Sequence, residues 1–317
     1  MAEDIVATLR AEGGQHELAD FADNATEIVK PINTRYRNHK IWQCPPNGPG
    51  ITMLMMLNVL SGFELSAYAP LSVERLHLEA EAARHANLAR EQHIGDPHFV
   101  DVDVAKLLSS AFSKEILRQI ALDRVSALPL VTAPIHPSTV YLCVVDRDSN
   151  ACSLVNSVAH AFGSAIASAK TGVLLQNRGA GFRIEPGHPN CIGPGKRPLH
   201  TLLAGLATRG GRAVMPFGVM GGQYLAVGHA HFLHRVIDRG LDPQQAAEAP
   251  RIFAFRGKLQ VERANPEPIV ADLAHRGHEI DLRNVPIGGC QAISIDSQRG
   301  VLIGGSDPRK DGLALGY

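Results

Sequence analysis

Three prolines, Pro129, Pro134 and Pro137, fall in the stretch from residue 126 to 137 and rule out a helix there. An extended connector therefore delivers the chain to Thr139-Val140-Tyr141-Leu142-Cys143-Val144-Val145, a β-branched and apolar run headed by a hydroxyl residue. Such a run reads as a strand with Thr139 at its start. A charged turn, Asp146-Arg147-Asp148-Ser149-Asn150, precedes a second strand-like run, Ala151-Cys152-Ser153-Leu154-Val155-Asn156-Ser157. The pair makes a hairpin in which Ser157 falls back beside Thr139. A hydroxyl at a strand head is, taken alone, an ordinary turn residue. An exposed connector ending on Ser138-Thr139 is also a natural place for a chain cut.

With 317 residues, 45% of them hydrophobic, the chain can bury a sizeable core. Lys plus Arg equals Asp plus Glu at 31 each, and aromatics make up only 5%, so neither a basic nucleic-acid surface nor a base-stacking platform is expected. The cysteines at 44, 143, 152, 191 and 290 form no CxxC pair, which argues against a zinc ribbon or a disulfide framework. Cys143 and Cys152 are expected as small core residues. The first ten residues show no cationic leader with an apolar segment, and the longest apolar stretch, 51–60, is too short to span a bilayer. A soluble chain without a membrane partner is expected. As written it would stay in the cytoplasm, or reach the periplasm if an export signal lies upstream.

Helical patterns cover residues 3–12, ending at Gly13-Gly14, and about 17–21. Strand-like segments 34–37 and 40–44 flank a turn at Asn38-His39. Pro45-Pro46-Asn47-Gly48-Pro49-Gly50 opens an apolar helix over 51–61, whose methionine run reads as core packing. A long charged helix over 72–92 has Ser72 as N-cap, and shorter helices follow at 101–109 and 113–121. Beyond the hairpin, strands are expected at 172–175, 202–207 and 213–219, with a helix from 223 to 239. Met220-Gly221-Gly222 joins the last strand to that helix. Amides at such a step have no intrahelical acceptor and can hold an anion or oxyanion, although Gly-Gly is also a common tight turn.

Fifteen histidines raise the question of a metal. The densest group is His229, His231 and His234, of which only the last two could share a helical ligand position, and no acidic residue accompanies them in sequence. A partly exposed helix face is expected there, with no metal and no cofactor. Phosphate-loop, GxSxG and HExxH motifs are absent from the sequence.

Several segments then agree with one family. Thr139 to Asp146, Gly172 to Phe182, Lys196-Arg197-Pro198-Leu199, Met220-Gly221-Gly222 and Gly305-Ser306-Asp307-Pro308-Arg309 resemble, in order and spacing, the γ-glutamyltransferase family. Ala19-Asp20-Phe21, Tyr36-Arg37, Cys44-Pro45-Pro46 and the stretch Met56-Leu57-Asn58-Val59-Leu60-Ser61-Gly62-Phe63 extend the resemblance over the whole chain. It implies an α+β fold, the four-layer αββα sandwich of N-terminal-nucleophile hydrolases. It also implies a proenzyme cut between Ser138 and Thr139, giving a large-subunit-like part (1–138) and a catalytic part (139–317) that associate with each other within one domain. On this reading Thr139 is the nucleophile and Gly221 and Gly222 hold the oxyanion. Ser157 orients the new amine, and the substrate is a small-molecule amide.

The departures are as informative. Where glutathione-processing members carry Thr-Thr-His, this chain has Thr139-Val140-Tyr141. Where they grip the substrate's α-amino group with polar and acidic residues, it has Gln176-Asn177-Arg178-Gly179-Ala180-Gly181-Phe182, and a serine pair becomes His200-Thr201. Arg178, Gly181, His200 and Thr201 are therefore the expected substrate contacts, and a guanidinium there favours a carboxylate over an ammonium. Family members also have a further large-subunit stretch before the point matching Met1. The sandwich is thus expected to be incomplete, with apolar faces exposed, unless a separate N-terminal subunit supplies the rest. An inactive fragment or one half of a split enzyme is the competing expectation.

Overall fold

The computed structural model describes residues 1–131 and 139–317. Its elements run α1 (Ala2–Ala11), α2 (Leu18–Ala22), β1 (Ile32–Tyr36), β2 (His39–Gln43), α3 (Gly50–Leu60), α4 (Val73–His93), α5 (Val104–Leu107), α6 (Ser110–Leu117), β3 (Val140–Val145) and β4 (Ala151–Asn156). Then come β5 (Gly205–Arg209), β6 (Arg212–Met220), α7 (Leu225–Arg239), α8 (Pro243–Glu248), β7 (Ile252–Phe255), β8 (Lys258–Glu262), α9 (Glu267–His275), β9 (Glu279–Arg283), β10 (Gly289–Asp296) and β11 (Val301–Ser306).

An antiparallel six-stranded sheet, ordered β1-β2-β5-β6-β10-β11, takes two strands from before residue 138 and four from after it. Alternation along β6 separates its two faces. Phe217 stacks on Phe232 of α7, and Val219 closes against Gly228 of the same helix. Gly218, between them, faces the other way, where a Cβ would lie 2.2 Å from the Tyr141 ring. Only glycine lets the β3–β4 hairpin approach the sheet so closely. The apolar helix α3 is buried along nearly its full length and packs with α4 and α7 on the helical side. Helices, sheet and hairpin are three layers of the αββα sandwich. Val140, Leu142, Val144 and Leu154, on the hairpin's outer face, are 43–64% exposed.

Three expectations need correction. Residues 172–175 form no strand among the described residues, only an isolated bridge between Ala167 and Leu174, because the chain there folds as tight turns. Cys152 is exposed, because the two-residue period that turns Tyr141 and Cys143 inward turns Cys152 and Leu154 outward. His229, His231 and His234 are fully buried rather than on an exposed face, because both sides of α7 are covered.

The last correction has a chemical reason. Glu79 of α4, also buried, lies 2.7 Å from His234 Nε2 and 3.4 Å from His231 Nε2, and Arg75 donates to it at 3.1 Å. The acidic companion missing from the local sequence arrives from another helix. Burial would raise the Glu79 pKa, but the hydrogen bond from His234 and the charge of Arg75 outweigh it and hold the carboxyl below its ordinary value. No group of three or more metal-ligating side chains suited to an ion occurs among the described residues.

Burial also holds His229 and His278 down to about 4 and His231 to about 3. These rings are neutral in the fold, whereas in the unfolded chain they take up protons near pH 6.5. The unfolded state therefore binds more protons on acidification, and stability present above pH 6.5 is lost as pH falls toward 4. Ionised Glu79 adds to the loss in the same direction at still lower pH. The unfolding temperature is expected to fall steeply between pH 6.5 and 4.5, measured by thermal denaturation across that window. A flat profile would contradict the assignment.

Candidate active site

The register Val140↔Asn156 sets Thr139 opposite Ser157 at the open end of the hairpin. The Thr139 hydroxyl lies 3.3 Å from Ser157 Oγ, which also accepts the Ala159 N–H at 3.0 Å. Thr139 is half-buried. Ser138 lies outside the described residues, so only Thr139 represents the expected cleavage site.

Arg178 opens a short 3-10 turn, Arg178–Gly181, and reaches across the hairpin end. One guanidinium nitrogen donates to the Ser157 carbonyl at 3.1 Å and the other to Thr201 Oγ1 at 3.5 Å. It forms no ion pair with a carboxylate among the described residues, and burial lowers its pKa. A partly desolvated cation without a counter-ion is an electrostatic demand that an anionic ligand group would meet.

His200 and Thr201 lie on the segment beside it. The Leu202 N–H donates to His200 Nδ1 at 3.1 Å, so the imidazole proton sits on Nε2. Burial, with the Arg178 charge beside it, holds His200 down to about 4. This ring is a neutral donor at pH 7. Gly181 does not turn its carbonyl into the site: that oxygen accepts from Asn190 Nδ2 at 2.8 Å, while Asn190 Oδ1 accepts the Leu199 N–H at 2.8 Å. Buried Asn190 thereby staples the 178–181 turn to the 199–201 segment. No sequence motif points to it, since its partners are backbone atoms.

Gly221 and Gly222 lie between β6 and α7, at the end of the strand that the hairpin covers. No acceptor for either N–H is found among the described residues. The Gly221 φ of 132° favours glycine, and a Cβ there would lie 2.7 Å from Gly288 Cα. The turn thus rests against the segment leading into β10. Four buried or nearly buried ionic side chains hold that segment. Arg251 pairs with Asp307 and donates to the Ile287 carbonyl at 2.6 Å. Glu262 accepts from Ile287 N at 2.9 Å, Asp307 accepts from Cys290 N at 3.0 Å, and Arg309 bridges both carboxylates. Arg251 and Glu262 went unnoticed in the sequence because they come from the ends of β7 and β8, far from the motif holding Asp307 and Arg309.

The structure therefore links Thr139, Ser157, Arg178 and Thr201 by contacts, with His200 adjoining. Gly221 and Gly222 sit at the end of the underlying strand, and Gly181 supplies backbone geometry alone.

Comparison with known proteins agrees with this architecture. The chain is 32% identical over 326 residues to a glutathione hydrolase-like proenzyme of Bacillus subtilis, covering all of this chain and 61% of the relative. It is 30% identical to the oxamate amidohydrolase proenzyme of Klebsiella pneumoniae, again covering 100% and 61%. The crystal structure of a cephalosporin acylase from Bacillus halodurans superposes with a TM-score of 0.91 at 35% identity, covering 100% of this chain and 59% of that one. The chain thus spans roughly three fifths of these relatives' length. The family model for gamma-glutamyltranspeptidase matches residues 1–317 throughout, and with that match the chain belongs to the gamma-glutamyltranspeptidase family.

Proposed function

We propose that this chain is the catalytic portion of a self-cleaving threonine amidohydrolase that acts on small amides bearing a carboxylate. The contact chain from Thr139 Oγ1 through Ser157 to Arg178 carries the reading. Attack of the Thr139 hydroxyl on the Ser138 carbonyl would convert the peptide bond into an ester and free the Thr139 α-amino group. Water would then cleave that ester, leaving Ser138 with a carboxylate. An α-amine of pKa about 8 can take the proton of its own hydroxyl near neutrality, so one residue supplies nucleophile and base. In turnover, the substrate acyl group would pass to Thr139 Oγ1 while the leaving amine takes up that proton, and water would release the acid. The N–H groups of Gly221 and Gly222 would hold the oxyanion at each stage.

Arg178 decides which acyl group is preferred. A guanidinium attracts a carboxylate and repels an ammonium, so a glutaryl group suits the pocket better than a γ-glutamyl group, which adds an α-ammonium. The relatives include proteins named oxamate amidohydrolase and cephalosporin acylase, which supports an amide substrate other than glutathione. The test compares hydrolysis of glutaryl and γ-glutamyl anilides. Arg178→Ala is expected to lower kcat/KM for the glutaryl anilide by roughly 10–100-fold, the worth of a charge-assisted hydrogen bond, and to shrink its advantage. A γ-glutamyl preference indifferent to Arg178 would exclude this specificity.

A second reading follows from exposed Val140, Leu142, Val144 and Leu154 on the outer hairpin face. It makes the chain one component of a larger assembly, active only when another polypeptide covers that face. Light scattering with added fluorophore 8-anilinonaphthalene-1-sulfonate separates the readings. A monomer that hydrolyses amides without a partner excludes the second, whereas an inactive, dye-binding monomer favours it.

A further inference from the structure

One carboxylate links the loop running on from Arg178 to the Gly221-Gly222 turn. It belongs to Glu91, near the C-terminal end of α4, whose side chain is only 16% exposed. Its two oxygens serve different segments. Oε1 accepts from Arg90 Nε at 3.1 Å and Nη2 at 2.8 Å, and the third Arg90 nitrogen donates to Gln223 Oε1 at 3.0 Å. Gln223 is buried and directly follows Gly222. Oε2 accepts from Arg183 Nη2 at 2.6 Å and faces His188 Nε2 at 3.8 Å. The Arg183 N–H donates to the Asn190 carbonyl at 3.0 Å, and the Asn190 N–H donates to His188 Nδ1 at 3.0 Å. Asn190 is the residue that staples the 178–181 turn to the 199–201 segment. Burial would raise the Glu91 pKa, but the charge and hydrogen bonds of Arg90 and Arg183 outweigh it and keep the carboxyl ionised at neutral pH.

We propose that Glu91 is a positioning residue that couples the substrate-side loop, residues 178–192, to the Gly221-Gly222 turn. Two guanidinium groups bring donors alone, and a carboxylate offers each of them its own oxygen in a charge-assisted bond. An amide of the same shape offers one acceptor oxygen in place of two. Without Glu91 the two arginines repel each other, the loop loses an ionic tie to α4, and the Arg90 donor to Gln223 loses its fixed direction. The spacing between a substrate contact and an oxyanion donor matters at the ångström level, so loosening either segment costs turnover. That consequence rests on the amidohydrolase reading, whereas the coupling itself does not.

Hydrogen–deuterium exchange of the full chain at pH 7, read by mass spectrometry, tests the coupling without requiring activity. Glu91→Ala is expected to speed exchange roughly tenfold in both 183–192 and 218–228 and to leave 252–262 unchanged. Glu91→Gln, which keeps the size of the side chain, is expected to do the same to a smaller extent. Arg183→Gln is expected to loosen the first segment alone and Gln223→Leu the second alone. Kinetics on an anilide substrate supply the second readout. Glu91→Ala is expected to lower kcat by about tenfold and to raise KM severalfold, whereas Gln223→Leu acts mainly on kcat and Arg183→Gln mainly on KM. The proposal is overturned if Glu91→Ala loosens only one of the two segments, if the loosening spreads equally to 252–262, or if a chain that hydrolyses anilides keeps its kcat and KM without Glu91. Coupled loosening in a chain that hydrolyses no anilide would uphold the coupling and remove the amidohydrolase reading instead.

Discussion

Thr139→Ala is expected to leave the purified 317-residue chain whole, whereas the unmodified chain is expected to resolve on a denaturing gel into fragments of 138 and 179 residues. It is also expected to lower amide hydrolysis by at least about 10³-fold, because nucleophile and cleavage-generated base are lost together and their effects do not add separately. Thr139→Ser keeps an attacking hydroxyl and should still cleave. Ser157→Ala removes the 3.3 Å partner of the Thr139 hydroxyl and leaves the nucleophile in place. A milder slowing, on the order of 10-fold, is expected from lost positioning. Mass spectrometry of each purified variant reads the cut, and anilide hydrolysis reads the turnover. An unmodified chain that stays whole, or an alanine variant that still divides at residue 138, would rule out Thr139 as the agent of cleavage.

The parts of this site that could be read from the sequence share one property: local chemistry fixes them. The proline-rich approach and the β-branched run after it define where β3 begins, and a two-residue period places Ser157 opposite Thr139. Gly221-Gly222 was legible for the same reason, since a strand running into a helix through two glycines leaves amides without intrahelical acceptors. What escaped was assembled from distant segments. Glu79 enters the histidine cluster from another helix, 152 positions before His231 and 155 before His234, and inverts the expectation of an exposed face. Asn190 acts through backbone atoms, and Cys152 faces outward only because of the register in which β3 and β4 pair. Arg178 is intermediate. Its place in the sequence marks the loop expected to contact substrate, but that it bonds a carbonyl and a hydroxyl rather than a carboxylate among the described residues is a property of the fold alone.

The ionic group behind the Gly221-Gly222 turn leads to the largest expected loss of stability. Arg251 and Asp307 are 3% and 0% exposed, and Asp307 retains Arg309 as a second partner, so it is the removal of Asp307 that strands a charge, that of Arg251, where water cannot reach it. Asp307→Ala is expected to cost about 3–5 kcal/mol and to lower Tm by on the order of 10 °C. The exposed Arg10–Glu17 pair supplies the contrast, since its side chains are 56% and 68% exposed and Arg10→Ala should move Tm little. Differential scanning calorimetry of the two variants decides between a stranded charge and a generic ion-pair effect: equal shifts would contradict the stranded charge. A double variant, Arg251→Met with Asp307→Leu, tests the mechanism further. Replacing both charges by apolar groups removes the orphan, so it should recover much of the loss seen with Asp307→Ala alone. Recovery of stability need not restore activity, because Arg251 and Asp307 also fix Ile287 and Cys290 through backbone hydrogen bonds, and Gly221 rests against Gly288 between them. A double variant that is stable yet slow in amide hydrolysis, with kcat lowered more than KM is raised, would assign the ionic group to holding the Gly221-Gly222 turn in the geometry the proposed oxyanion role requires.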